Sequence, residues 1–305
     1  MHHLFEGGAG SYSAGAYGYL VDLRAIDGLE ITILCDNTVS PAARGMLGEH
    51  GFSALIRHGS EAVLFDTGQT GVPLVNNMKA LKIEGVEDVV LSHGHYDHSG
   101  GLPKMIESGC APSRLFTHGD AFLPRFKKVR GNLIRIGMPF DPKILDAAGV
   151  SVSASASGSP QQVKEWLITT GEIKRESFER PETEFFIGRD GGIEKDTFRD
   201  DMGIVAALEG KGLVVVTGCA HSGVINTVSR AREITGIEEV FAVVGGFHLN
   251  DAGEEKLEMT AAALREIGVK KVVPCHCTGF AAACHMRGRL GDAVDPGCTG
   301  KRISL

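Results

Sequence analysis

Short apolar runs alternate with polar turns in the N-terminal part of the chain. Residues 31–34 are rich in β-branched side chains and predict a strand. Residues 52–56 and 62–65 are similar runs around the turn Arg57-His58-Gly59-Ser60, which predicts a hairpin. A helix is expected at about 72–81, before a strand that ends in Val89-Val90-Leu91. This half of the chain therefore predicts one sheet with a helix packed against it.

The C-terminal part alternates strands and helices more plainly. Apolar runs predict strands at 213–217, 240–244 and 271–274. One predicted helix spans about 224–234, and the next has an apolar face made of Leu257, Ala261, Leu264 and Ile267. This order is typical of a βαβαβ unit, so the chain as a whole reads as an α/β fold with two sheet-plus-helix halves.

Residues of about 124–201 interrupt this rhythm. Within them, residues 151–160 alternate small and polar side chains, which predicts either an exposed strand or a mobile loop. Excursions of this length usually serve function, so we expect a lid or substrate platform. The predicted organisation is a flexible extension at 1–28, followed by one domain at 29–305 that contains the excursion.

Composition narrows the function classes. The chain has 305 residues and 43% hydrophobic content, which is enough for one large core. Its net charge of −7 argues against a nucleic-acid partner. No apolar run approaches membrane-spanning length and residues 1–28 show no signal-peptide pattern, so we expect a cytoplasmic protein with no membrane partner. The seven cysteines are expected to be reduced thiols, and small buried hydrophobes are favoured over a second metal site of cysteines.

Histidines concentrate where the predicted strands end. The segment directly after Val89-Val90-Leu91 contains His93, His95, Asp97 and His98. The three C-terminal strands are each followed within a few residues by another imidazole, namely His221, His248 and His276. Ligands of α/β sheets gather at the carboxyl ends of strands, and solvated loop histidines would not be expected to recur at four of them. We infer a site for one or two metal ions, for which this donor set suits zinc, iron or manganese.

These residues resemble a known signature. His93-Gly94-His95-Tyr96-Asp97-His98, with His221 and His276, is similar to that of the metallo-β-lactamase superfamily. Phe65-Asp66-Thr67-Gly68 resembles the acidic strand end that precedes it. Motifs at 117–122, 170–173, 217–223 and 275–279 resemble one branch, the 7,8-dihydropterin-6-yl-methyl-4-(β-D-ribofuranosyl)aminobenzene 5′-phosphate synthase-like family. The resemblance runs from about residue 31 to the C-terminus and implies a four-layer αββα sandwich.

The resemblance also implies two divalent metal ions, with zinc expected first and iron, manganese or magnesium as alternatives. The first ion would be held by His93, His95 and His221, and the second by Asp97, His98 and His276. Asp97 is the expected catalytic residue, because a ligating carboxylate can also orient the attacking hydroxide. A metal ion in such a site lowers the pKa of bound water and polarises a carbonyl or phosphoryl oxygen.

Two further positions, His248 and Asp66, allow more than one structural role. In most of the superfamily an aspartate bridges the metals where this chain has His248. His248 therefore either binds metal directly, or supports a ligand, or leaves the second site weak. Asp66 is expected to orient a ligand histidine or the signature loop without touching the metal, and a simple strand-end turn is the alternative.

Basic residues in and near the excursion are candidates for substrate binding. Arg125, Arg175 and His118 are the ones we select, the first as part of a cluster with Lys127, Lys128 and Arg130. In an acidic protein such a cluster suits a phosphate-bearing substrate. The alternatives are a solvated basic face and, for His118, an ordinary loop histidine.

These observations predict a metal-dependent hydrolase-type enzyme for a phosphorylated or carbonyl small molecule, such as an ester, thioester or lactone. The branch resemblance implies the alternative of condensing a dihydropterin diphosphate with an aminobenzene ribofuranosyl phosphate, releasing pyrophosphate. A third alternative is a non-catalytic metal-binding sensor or partner protein, which the substitution at His248 favours. A homo-oligomer remains open.

Overall fold

The computed structural model describes residues 21–155, 157–180 and 183–305. In chain order, its strands are β1 (Glu30–Cys35), β2 (Ser53–His58), β3 (Glu61–Phe65), β4 (Asp88–Val90), β5 (Arg114–His118), β6 (Arg125–Val129), β7 (Asn132–Arg135), β8 (Ser151–Ser155), β9 (Gln162–Lys164), β10 (Leu167–Thr169), β11 (Phe185–Arg189), β12 (Gly192–Lys195), β13 (Ile204–Leu208), β14 (Gly212–Thr217), β15 (Val240–Gly246), β16 (Lys271–Cys275) and β17 (Arg302–Ser304). Its α-helices are α1 (Val72–Ala80), α2 (Tyr96–Ser99), α3 (Leu102–Glu107), α4 (Lys143–Ala147), α5 (Val224–Thr235), α6 (Glu254–Ile267) and α7 (Phe280–Leu290).

The strands form two large sheets and one smaller sheet. The first sheet has the order β17-β1-β2-β3-β4-β5-β8, and the second has the order β16-β15-β14-β13-β10-β9. The predicted hairpin is confirmed, because β2 and β3 pair antiparallel. The predicted βαβαβ unit is also confirmed, because β14, β15 and β16 are parallel neighbours joined by α5 and α6.

Three apolar cores separate four layers. One core, which includes Leu64 and Leu74, packs the first sheet against its helices. The central core lies between the two sheets and includes Phe65 and Val216. The third, which includes Val228, packs the second sheet against α5, α6 and α7. The burial of apolar side chains on both faces of the two large sheets gives the predicted αββα sandwich.

The predicted excursion contributes to all three sheets. Strand β8 pairs parallel with β5 at the edge of the first sheet, and its side chains are exposed or half-buried. Of the two alternatives for residues 151–160, the exposed strand is observed at 151–155, whereas residues 157–160 are not part of a strand. Strands β9 and β10 extend the second sheet, and only β12-β11-β6-β7 form a sheet of their own. Residue 156 lies outside the described residues.

The described part of the predicted N-terminal extension packs on the second sheet. The amide of Val21 donates to the carbonyl of Ile234, and Ile26 is buried with its amide bonded to Ala207. The remainder of that prediction, residues 1–20, lies outside the described residues. No helix in the described ranges combines the length and the apolar character needed to cross a bilayer.

Candidate metal centre

A cavity of about 1070 Å³ opens where the central strands of both sheets end. Strand β4 leads into the segment that carries His95 and Asp97, and β14 leads to His221. Strands β15 and β16 lead to His248 and His276. The imidazoles that the sequence placed at separate strand ends therefore meet in one cavity, because the carboxyl ends of these strands lie together.

His93, His95 and His221 form one compact group. Their potential ligand atoms lie within 4.8 Å of one another, and all three side chains are buried. The Nε2 atoms of His93 and His95 are buried without a hydrogen-bond partner. Burial, reinforced by neighbouring imidazoles, holds the pKa of both residues well below the ordinary value. Neutral imidazoles with unpaired buried nitrogens are suited to coordinate a metal ion.

Asp66 determines how the imidazoles of His93 and His98 are oriented. Its Oδ2 accepts a hydrogen bond from His98 Nδ1 at 2.6 Å and from Ser92 Oγ at 2.7 Å. Ser92 Oγ lies 2.8 Å from His93 Nδ1 and accepts a bond from it, since the hydroxyl proton is donated to Asp66. Both rings thereby direct Nε2 into the cluster. Gly218 permits this arrangement, because a Cβ there would lie 2.0 Å from Ser92 Oγ.

Asp97, His98 and His276 are arranged less simply than predicted. Asp97 Oδ2 lies 3.3 Å from His276 Nε2 and 3.1 Å from His50 Nε2. His98 Nε2 is instead 3.1 Å from the Sγ atom of Cys219. In the described residues, the carboxylate and His98 thus belong to different groups of potential ligands.

Charges at this part of the site oppose the effect of burial. Burial would raise the pKa of Asp97, but the charge of His98 and hydrogen bonds from His276 and His50 lower it well below the ordinary range. Burial would likewise lower the pKa of His98, but the carboxylates of Asp66 and Asp97 raise it to about 9. Asp97 is therefore ionised at neutral pH, the form that binds a metal or accepts a hydrogen bond from water.

His248 lies at the same cluster. Its potential ligand atom is within 4.8 Å of those of His221 and Cys219, and the two imidazole rings are 4.3 Å apart between centroids. The backbone is left-handed at His248, at His276, at Asp66 and at Ala220, with φ between 44° and 60°. Such conformations cost about 1–3 kcal/mol each and cluster at functional sites, where the surrounding structure holds them.

The three residues predicted to bind substrate, His118, Arg175 and Arg125, do not line the cavity. His118 is buried, with Nε2 3.2 Å from Glu172 Oε1 and Nδ1 accepting the amide of Asp120. Arg175 lies over the ring of Phe198 and contacts Ser222 Oγ at 3.4 Å. Neither residue lines the cavity.

Arg125 is a correction to the sequence interpretation. It is completely buried, with Nε 2.8 Å from Asp196, another nitrogen 2.6 Å from Asp200, and a third bonded to the carbonyl of Asp120. Asp200 in turn accepts the amide of Gly94 in the signature segment. The guanidinium thus joins the excursion to the metal-site loop, and it has no surface that a substrate phosphate could reach.

We expect Arg125→Met to lower the free energy of unfolding by about 3–5 kcal/mol, because two buried carboxylates lose their partner. Denaturant unfolding measures this change. Lys128→Met is the matched control, since Lys128 is exposed on the same strand, and it should shift stability by less than about 0.5 kcal/mol. Equal stability of the two variants would contradict the structural role.

Other cations line the cavity. Lys127 was part of the predicted cluster, and its ammonium lies 5.1 Å from the centre of the Phe185 ring. Lys256 and Arg287 also line the cavity, and sequence reasoning missed both, as it missed His50. Lys256 and Arg287 lie on helices and His50 lies in a loop, and none of them belongs to a local sequence motif. Only the fold brings them to the strand ends.

Comparisons with known proteins agree with this geometry. The sequence profile of the metallo-beta-lactamase superfamily matches residues 47–183. The chain is 30% identical to the 7,8-dihydropterin-6-methyl-4-(beta-D-ribofuranosyl)-aminobenzene-5'-phosphate synthase of Methanocaldococcus jannaschii, over 86% of this chain and 92% of that protein. An uncharacterized protein of the same organism is 35% identical over 83% of this chain and 91% of that protein.

A solved structure is also similar. Tm1679, described as a metal-dependent hydrolase of the beta-lactamase superfamily, superposes with a TM-score of 0.78 at 30% identity, covering 90% of this chain and 98% of its own. The chain therefore belongs to the metallo-beta-lactamase superfamily. Within it, the similarity to the synthase confirms the predicted resemblance to that branch.

Proposed function

We propose that this protein is a metal-dependent hydrolase that acts on a phosphorylated small molecule. The observation that carries the proposal is the group of His93, His95 and His221, with unpaired buried Nε2 atoms on the first two; His95 and His221 line a cavity that cations also line. A carbonyl substrate needs no such cations. A phosphate gains charge-assisted hydrogen bonds from them.

The donor set fits a divalent metal ion. Three imidazoles beside an open cavity are the pattern of catalytic zinc sites, and iron or manganese would fit the same nitrogens. When bound, such an ion supplies Lewis acidity and makes water nucleophilic at neutral pH. His93, His95 and His221 would hold it, and Asp66 orients His93 through Ser92.

The remaining roles fall to side chains of the cavity wall. The ionised carboxylate of Asp97 accepts a hydrogen bond from the attacking water and so orients it. His50 is half-exposed and lies 3.1 Å from Asp97 Oδ2, which places it to pass a proton between that carboxylate and solvent. Lys127, Lys256 and Arg287 would bind the phosphate group. A cytoplasmic setting, which the proposal assumes, would keep the thiols near these residues reduced.

The synthase reaction is the second candidate. Identity of 30% over 92% of the synthase favours it, as does a cavity of about 1070 Å³, at the upper end of the usual size for ligand sites. Its diphosphate substrate would use the same cations. The 35% identity to an uncharacterized protein means that overall similarity does not single out this reaction.

The test is a substrate panel with metal-free protein reconstituted separately with zinc, manganese and magnesium. We expect metal-dependent release of phosphate from phosphoesters or diphosphates, and no turnover of lactones or thioesters. Pyrophosphate release that requires both a dihydropterin diphosphate and the aminobenzene ribofuranosyl phosphate would establish the synthase instead. Turnover of lactones or thioesters alone would contradict the phosphate proposal. Bound metal without any turnover would support a sensor.

Lys256→Gln tests the phosphate contact. Loss of a charge-assisted hydrogen bond of about 1.5–3 kcal/mol should raise KM for the phosphorylated substrate by about tenfold or more. Lys128→Gln is the matched control, because Lys128 is exposed and does not line the cavity. Steady-state kinetics of both variants decide the point. Unchanged KM in Lys256→Gln would remove this residue from the phosphate site.

A further inference from the structure

The thiol of Cys219 lies at the centre of the imidazole cluster. Its Sγ is 3.1 Å from His98 Nε2. It also belongs to three groups of potential ligands whose atoms lie within 4.8 Å of one another, completed respectively by His93 and His98, by His276 and Cys277, and by His221 and His248. In the described part of the chain, no other residue belongs to as many of these groups.

The local backbone is built to present two sulfur atoms here. Strand β14 ends at Thr217, and the left-handed Ala220 separates Cys219 from His221. Cys277 follows His276 directly, and its thiol donates to the carbonyl of Cys219 at 3.7 Å. Gly246 makes room for this thiol, since a Cβ there would lie 2.6 Å from Cys277 Sγ. Both sulfurs therefore face the cluster and not the apolar cores.

We propose that Cys219 is a metal ligand, and that its thiolate, with His98, His276 and Cys277, holds the second metal ion. The inference rests on the proposed metal-dependent function. Its basis is the position of Cys219 Sγ, which lies 3.1 Å from His98 Nε2 and within 4.8 Å of the potential ligand atoms of His276 and Cys277. The second ion would then have nitrogen and sulfur ligands, and Asp97 lines the cavity with its Oδ2 3.3 Å from His276 Nε2.

This ligand set has a chemical consequence. Thiolates prefer zinc or cobalt to manganese or magnesium, which favour oxygen ligands. The second site should therefore discriminate between metals more sharply than the three-histidine site. Zinc and cobalt should fill both sites, and magnesium should leave the sulfur-containing site largely empty.

Cys275 shows what an ordinary buried thiol looks like in the same segment. It is as buried as Cys219, but its Sγ donates to the carbonyl of Val273 at 3.3 Å. Among the described residues it joins none of the potential ligand groups. Cys275 is consequently a matched control for the removal of a buried sulfur atom close to the site.

Titration of the metal-free protein with cobalt(II) tests the inference directly, because cobalt bound to thiolate absorbs in the near-ultraviolet and cobalt bound to nitrogen and oxygen alone does not. We expect two cobalt ions per chain and a thiolate band that appears with one of them. Cys219→Ala should lose most of this band and one of the two ions. Cys277→Ala should lose part of the band, and Cys275→Ala should retain both ions and the full band.

The possible failures are distinguishable. Cobalt binding without a thiolate band would overturn the sulfur assignment and leave the three-histidine site standing, whereas no cobalt binding at all would overturn the proposed function as well. Should Cys219→Ala not fold, alkylation of the native wild-type protein gives the answer. Cobalt must then protect Cys277, the half-buried thiol of the pair, from an alkylating reagent, as read by mass spectrometry, and equal labelling of Cys277 with and without cobalt would overturn the inference.

Discussion

His95→Ala should strip most of the metal from the purified protein. His95 is one of three imidazoles whose potential ligand atoms lie within 4.8 Å of one another. The Nε2 atom of His95 is buried without a hydrogen-bond partner in the native protein. Two remaining ligands do not form the three-ligand set of a catalytic metal site. Metal per chain after dialysis, measured by elemental analysis, reports the loss.

His285→Ala is the control for this prediction. His285 is partly exposed on α7, pairs with Glu258, and does not line the cavity. Its removal should leave the metal stoichiometry unchanged. Equal metal content in His95→Ala and in wild type would show that the three-histidine group does not bind the ion.

Asp97→Asn should reduce turnover by a hundredfold or more, on the order expected when a positioned carboxylate is lost from a metal site. The amide keeps the shape of the side chain but removes the charge, which His98, His276 and His50 stabilise in the native protein. Steady-state kinetics on the substrate identified by the panel measure the effect. Metal at the three-histidine site should be retained, because Asp97 is not part of that group.

Asp251→Asn is the isosteric control. Asp251 also lines the cavity but is exposed at its rim, so its neutralisation should change turnover only slightly. A loss in Asp97→Asn no larger than in this control would remove Asp97 from catalysis. Binding of only one ion per chain by the wild type at saturating zinc would make the site mononuclear.

The sequence was most informative where chemistry and periodicity coincide. Each imidazole of the cluster follows an apolar strand, and the parallel strands β14 to β16 bring their ends together. Asp66 was predicted to orient a ligand histidine, and in the structure it bonds to His98 directly and to His93 through Ser92. Because the end of a strand determines where the next residues lie, the positions of these side chains could be predicted from the sequence around each strand.

The failures have a different physical origin. Arg125 looked like one member of a basic surface cluster, but its two buried partners, Asp196 and Asp200, are about 70 residues further along the chain. His50 stands alone in a loop, and nothing near it in sequence indicates that it will meet Asp97. Cys219 resembled any small buried residue until the fold placed it beside His98. Long-range contacts decide all three cases.

The short strands of the excursion could not be predicted from the sequence for another reason. β9 and β10 have three residues each, too few to show a hydrophobic period, yet they extend the second sheet. Strand β8 is exposed and rich in serine, so its sequence fits an edge strand as well as it fits a loop. Pairing with β5 selects the strand.

Anomalous diffraction from crystals of the zinc-reconstituted protein, recorded on both sides of the zinc absorption edge, tests the central claim most directly. The account predicts a zinc peak bonded to His93 Nε2, His95 Nε2 and His221, at the roughly 2.0–2.1 Å typical of zinc–imidazole bonds. Zinc bound only at other side chains, with these three imidazoles uncoordinated, would contradict it.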